Sequence, residues 1–262
     1  MIEQNSNIIR DPKIKRIVEY SADSKQINVL DSRFYSRYEK YYPSVTSILN
    51  YFPKNQFFHS WLKDVGHNSD IIMRKAGYEG TQVHTAVEKY LTGEEIHWID
   101  EWGVAKYQMD VWKMILCFTN FWEMNQPELI STEYHLFSDE HQYAGTADLI
   151  VRMNKELWLL DIKTSNSLHT SYDLQLAAYV KAWNETHTEP ITRTGIIWLK
   201  AHTRKEAKSG DFSGKGWQLK VVDDIEKNHS MFMKIYDIYR LENPNFGPYI
   251  EKLPTTVKLK NF

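Results

Sequence analysis

The chain has 262 residues, 42% of them hydrophobic and 14% aromatic, enough to bury a real core in one large domain or two small ones. Charged residues make up 25% and the formal net charge is −2, so no global basic field marks a polyanion partner and any nucleic-acid contact must come from local patches. The single cysteine, Cys117, excludes an internal disulfide and any all-cysteine zinc or iron–sulfur site. No apolar stretch approaches the roughly 20 residues of a membrane span, and the N-terminus lacks a charged-then-apolar signal layout. The expected setting is a reducing, cytoplasmic one.

Residues 1–15 are polar and predict no regular structure. Ile17 to Tyr20 and Gln26 to Tyr35 predict two short strands of a hairpin. Tyr42 to Leu49 reads as a turn followed by a helix, with Ser44 as its cap. Helix is predicted again for Phe57 to Val65 and for Asp70 to Ala76, the latter ended by Gly77. From Gly80 the apolar residues Val83, Val87, Tyr90 and Leu91 have helical spacing, and Thr92-Gly93 stops the run. Glu101 to Met124 predicts a long aromatic-rich helix that buries Cys117.

Leu129 to Phe137 alternates as a strand. Two apolar strands follow, joined by the polar turn Met153 to Glu156. Tyr172 to Thr186 is helical, Thr194 to Leu199 and Gly216 to Val222 are strands, and Asp223 to Leu241 is a last helix closed by Asn243-Pro244. The order is a mostly helical first half, then β-β-β-α-β-β-α. It predicts one α/β unit over residues 1–262: a hairpin and helical front (1–125), an α/β core (126–242) and a tail (243–262).

The two central strands carry the chemistry. Gly145-Thr146-Ala147-Asp148-Leu149-Ile150-Val151 and Leu157-Trp158-Leu159-Leu160-Asp161-Ile162-Lys163 each hold one carboxylate in an apolar run. Strand side chains alternate, so Asp161 and Lys163 share a face, and a hairpin register brings Asp148 alongside. Two carboxylates and an ammonium on an apolar face are costly unless something binds there. Oxygen ligands of this kind suit Mg²⁺ or Mn²⁺, and a metal beside a lysine suits phosphodiester hydrolysis. The bland alternative is a salt bridge across the hairpin, which stabilises little.

The Asp148, Asp161-Ile162-Lys163 pattern on adjacent strands resembles the PD-(D/E)XK nuclease superfamily. Within it, the chain is similar to the RecB-type exonuclease branch, including phage and mitochondrial genome maintenance exonucleases. Supporting stretches are Gly145 to Asp148, Gln175 to Tyr179, Gly80 to His84 and Tyr42 to Leu49. The resemblance covers about residues 42–200 and implies a restriction-endonuclease-like core, a mixed central sheet flanked by helices. It implies metal ligation by Asp148, Asp161 and His84, with the Ile162 backbone carbonyl and Glu133 as further candidates. An exposed strand glutamate is an equal reading of Glu133. Lys163 would assist the attacking water, and Gln175 and Tyr179, one helical turn apart, would steady the site. Glu88, one turn after His84, reads equally as a support to the ligands or as a surface charge.

Thr164 and the loop cations Lys200, Arg204 and Lys205 are candidates for DNA contact, and an ordinary solvated loop is an equal reading of the cations. Tyr35, Tyr38, Tyr41, Tyr42, Phe52, Phe57, Phe58 and Trp61 offer either core or base-stacking surface. The chain has neither the cysteine quartet of iron–sulfur relatives nor a phosphate-binding loop of helicase type. The reading is a metal-dependent deoxyribonuclease, an exonuclease on single-stranded DNA or DNA ends in replication, recombination or repair, with a partner protein for any unwinding. The alternatives are a structure-selective endonuclease on the same core and a catalytically silent nucleic-acid-binding protein.

Overall fold

A computed structural model describes residues 7–11, 16–20, 26–29, 32–37, 40–199 and 216–244. The first five strands form an antiparallel meander in sequence order: β1 (Asn7–Asp11), β2 (Arg16–Tyr20), β3 (Gln26–Val29), β4 (Ser32–Arg37) and β5 (Lys40–Pro43). The predicted two-stranded hairpin is therefore larger, and its second strand, Gln26 to Tyr35, is not a single strand: it is β3 and β4, paired antiparallel from Gln26↔Tyr35 to Val29↔Ser32. Residues 7–11, read as irregular, pair with β2 from Asn7↔Tyr20 to Asp11↔Arg16. Tyr42-Pro43, read as a turn, ends β5 and pairs with Tyr35 and Phe34.

Helix α1 (Val45–Leu49) starts at the predicted cap: Ser44 Oγ accepts the Ser47 N–H at 3.0 Å. In α2 (Gln56–Val65), Asn55 Oδ1 caps the Phe58 N–H at 2.9 Å. Helix α3 (Ser69–Leu91) is a correction, because it runs through Gly77 and Gly80 without a break. A helical glycine costs about 1 kcal/mol against alanine. Burial of Val83, Ala86 and Val87 in the core anchors the helix despite two of them. Its end is as predicted, at Thr92 and the positive-φ Gly93.

Helix α4 (Met109–Asn125) begins eight residues later than predicted. Asp100 Oδ1 accepts the N–H groups of Trp102 (3.0 Å) and Val104 (2.8 Å). That local turn competes with helix and wins, since residues 101–108 bury little. Cys117 is buried in α4, and burial pushes its thiol up to about 11.

The second sheet holds β6 (Glu128–Ser138), β7 (Tyr143–Met153), β8 (Glu156–Lys163), β9 (Arg193–Leu199) and β10 (Trp217–Val221), in the order β10-β9-β8-β7-β6. All pairs are antiparallel except β8 with β9. Helix α5 (Thr170–Thr186) makes the crossover that this parallel pair requires, and α6 (Ile225–Glu242) follows β10. Asn154 and Lys155 have φ of 54° and 67°, the two-residue turn that fits the twist of a hairpin. That turn sets Met153 opposite Glu156 and Leu149 opposite Leu160.

Both faces of this sheet are covered. Leu157 and Leu159 of β8 pack with α1, α5 and α6. Trp158, Leu160 and Ile162 pack with α3 and α4. By alternation, Asp161 and Lys163 lie on the α5 side. The first sheet docks through the Ser44↔Ala144 bridge, a Tyr35–Thr146 hydroxyl bond of 2.9 Å and a Tyr42 Oη bond to Asp139 of 2.8 Å. Among the described residues no helix is long and apolar enough to cross a membrane.

Candidate active site

The β7–β8 ladder closes at Leu149↔Leu160, one step short of Asp148 and Asp161. Beyond that step the Ile162 N–H has no strand partner in β7, and Asp148 Oδ2 accepts it at 2.7 Å. Asp161 is 2% exposed. Its Oδ2 lies 2.7 Å from Lys163 Nζ yet takes no well-aligned hydrogen bond. Burial, and next to it Asp148, push the Asp161 carboxyl above its usual range against the pull of Lys163. Burial opposes the Lys163 ammonium, but Asp161 and Asp148 overcome it and raise its pKa. Lys163 is therefore a fixed positive charge.

Helix α5 supplies the next shell. Lys163 Nζ donates to Gln175 Oε1 at 3.2 Å, and Gln175 Nε2 donates to Tyr179 Oη at 3.0 Å. The Gln175 amide is thus oriented at both ends. The Lys163 ammonium also lies 4.6 Å from the Tyr172 ring centre. Burial holds the Tyr179 phenol well above its ordinary pKa, so it stays neutral. Gly145 explains its own place in the motif: a Cβ there would overlap the Tyr179 ring.

His84 and Glu133 arrive from α3 and β6. His84 Nδ1 lies 3.6 Å from Asp148 Oδ2 and 3.9 Å from Glu133 Oε1. Burial opposes the imidazolium, but Asp148, Glu133 and Asp161 outweigh it and lift His84 to about 9. Glu133 has φ of 48°, a left-handed conformation rare for a non-glycine residue and strained inside a strand. His84, Glu133 and Asp148 offer ligand atoms within 4.8 Å of one another. The crowded carboxylates of Glu133 and Asp148 with the His84 imidazole, and the buried Asp161 carboxylate beside them, fit a divalent cation.

These groups line a cleft of about 760 Å³ that also takes in Thr164, Gln175, Tyr179 and exposed Glu88. Lining residues that the sequence does not single out as site residues include Arg33, Thr46, Ala76, Gly77, Thr85, His135 and Thr146. Thr146 Oγ1 meets both Tyr35 Oη and His135 Nδ1 at 2.9 Å. Its place in the Gly145–Asp148 stretch was a usable signal. Arg33 has none, being brought in by sheet docking, whereas His135 stands two residues after Glu133 on β6 and opposite Thr146 on β7. Tyr35 and Tyr42 are buried, whereas Phe57 is 84% exposed and Phe58 and Trp61 are half-buried. Tyr38 and the loop cations Lys200, Arg204 and Lys205 lie outside the described residues.

No curated protein matches the chain. The family model of the PD-(D/E)XK nuclease superfamily matches residues 33–243, which take in α1 to α6 and the whole second sheet. The chain belongs to the PD-(D/E)XK nuclease superfamily.

Proposed function

We propose that this nuclease is a divalent-metal-dependent DNA exonuclease of the RecB-type branch, acting on single-stranded DNA or DNA ends in replication, recombination or repair. The observation that carries hydrolysis at this cleft is the meeting of Asp148 and Asp161 where the hairpin ladder ends, with Lys163 2.7 Å from Asp161. The exonuclease and DNA components rest on the four ordered motifs shared with that branch.

Asp148, Asp161, His84 and Glu133, with the Ile162 carbonyl, would hold Mg²⁺ or Mn²⁺; the imidazole favours Mn²⁺. Such an ion supplies charge neutralisation at the phosphate and a bound water of lowered pKa. Lys163 keeps its proton and stabilises negative charge developing on the phosphate oxygens. Gln175, held by Tyr179, fixes the position of the Lys163 ammonium. Thr164, at the cleft wall, contacts the DNA backbone.

The test is digestion of 5′- and 3′-labelled single-stranded, duplex and closed-circular DNA with Mn²⁺ or Mg²⁺. Linear substrates are degraded from an end and circles survive; cut circles would make the enzyme an endonuclease. Asp161→Ala and Lys163→Ala abolish cleavage while DNA binding persists. Full activity in either variant would place hydrolysis elsewhere.

A further inference from the structure

Helix α3 lines the cleft with His84 and, toward its N-terminus, with Gly80 and Gly77. The described glycines fall into two groups with one exception. Gly66, Gly93, Gly103 and Gly216 have positive φ. At Gly80, Gly145 and Gly195 an added Cβ would press on Thr164, Tyr179 or the Lys220 carbonyl. Gly77 has neither reason: its φ is not positive, and nothing lies within 4 Å of where its Cβ would stand. It sits inside a 23-residue helix, where alanine would be favoured by about 1 kcal/mol. The fold does not require a glycine there.

Its position supplies a reason. Gly77 is seven residues before His84, about two helical turns or roughly 10 Å along the axis, and on the same face. Ala76 and Thr81 flank it in the same cleft wall, so this stretch of α3 is shallow. Arg74, one turn before Gly77, is exposed, and Arg33 lines the same cleft from the first sheet. The same cleft holds Asp161, whose buried carboxylate is ion-paired with Lys163 at 2.7 Å.

We propose that the Gly77 face of α3 is a binding surface for one strand of the nucleic-acid substrate. The sugar–phosphate backbone of the nucleotides next to the scissile bond lies against the bare helix there, closer than any side chain would allow. Arg74 and Arg33 are the cations placed to take their phosphates. The proposal rests on the nuclease reading above and extends it from the cleavage point to the track of the strand.

The test compares wild type, Gly77→Ala and Gly77→Leu as full chains. It measures steady-state cleavage of a labelled single-stranded 20-mer DNA, Mn²⁺ affinity by calorimetry and thermal stability. Gly77→Ala melts at the same or a higher temperature, because helix propensity improves, yet its KM for the 20-mer rises. Gly77→Leu raises KM by about tenfold or more, equal to the ~1.4 kcal/mol of one lost close contact surface, with Mn²⁺ affinity unchanged. A wild-type KM in Gly77→Leu overturns the proposal. So does a fall in Mn²⁺ affinity or melting temperature parallel to the rise in KM, which would mean the substitution acts through the metal cluster or the fold. Absence of Mn²⁺-dependent cleavage in wild type sinks the nuclease reading and this one with it, whereas a normal KM in an otherwise active Gly77→Leu sinks this one alone.

Discussion

The distance between Gly145 and the Tyr179 ring sets the tolerance of the whole site. Tyr179 Oη is the partner that holds Gln175, and Gln175 holds Lys163. A methyl group at position 145 must displace a buried ring. Gly145→Ala should therefore destabilise the fold by about 1–3 kcal/mol, the usual cost of overpacking, and slow cleavage by loosening Lys163. A thermal melt and an initial-rate assay check both; an unchanged melting temperature would show that the ring moves aside freely. At this scale the sequence was informative where chemistry broke pattern. Asp148 and Asp161 stood out as carboxylates in apolar strands, and the Asn154-Lys155 turn made their register readable. The Gly145 motif was visible as a pattern but its reason was not, since Tyr179 lies 34 positions away. The left-handed Glu133 could not be read either, because alternation assigns a face and says nothing of φ.

Among elements, the strands of the second sheet and the capped α1 are legible in the sequence; β1, β5, the β3–β4 division and elements decided by tertiary packing are not. The apolar run of β8 and the Ser44 cap of α1 act locally. Continuation of α3 through Gly77 and Gly80 depends on a core that no short window displays. The docking of α6 on β7 is another such case, and it carries a pH signature. Tyr143 donates its single proton to the Ala178 carbonyl at 3.0 Å, so His229 Nε2, 3.2 Å away, must be the donor to Tyr143. Nε2 of His229 therefore carries a proton, and the lowered pKa of the ring keeps Nδ1 bare at neutral pH. Burial, with help from His141 and Lys181 and against Glu226, lowers that pKa to about 4. With a folded pKa below the ordinary 6.5, the fold favours the uncharged ring. Its contribution is whole above pH 6.5 and is lost as pH falls toward 4, on the order of 3 kcal/mol. His229→Phe keeps ring packing against Phe232 and leaves Tyr143 bonded to Ala178. This variant should match wild type at pH 7.5 within about 1 kcal/mol and lose stability less steeply between pH 6.5 and 4. Denaturant melts across that interval decide it; an unaltered acid limb would exonerate His229.

Over the whole molecule, the cleft joins parts that have separate cores. His84 comes from α3, packed on one face of the second sheet, while Asp161 and Lys163 point to the other face with α5. Glu133 and Asp148 stand between them on β6 and β7. With Lys163 set against Asp161, the His84 imidazolium is the positive charge nearest Asp148 and Glu133, and these carboxylates lift its pKa to about 9. A metal taking the His84 nitrogen must displace that proton. Mn²⁺ binding at pH 7 should then release close to one proton, and its affinity should rise with pH by up to about tenfold per unit until pH approaches 9. The metal-free fold should respond in the opposite sense. A histidine whose folded pKa is raised contributes stability that is complete below pH 6.5 and is lost as pH rises through about 9. Calorimetry in two buffers of different ionisation heat counts the proton, and melts from pH 6 to 9 with and without Mn²⁺ give the two slopes. His84→Ala should abolish the proton release while leaving weaker binding through the carboxylates. If Mn²⁺ affinity in wild type is flat over this range, His84 is not a ligand and the cation is held by the aspartates and Glu133 without it.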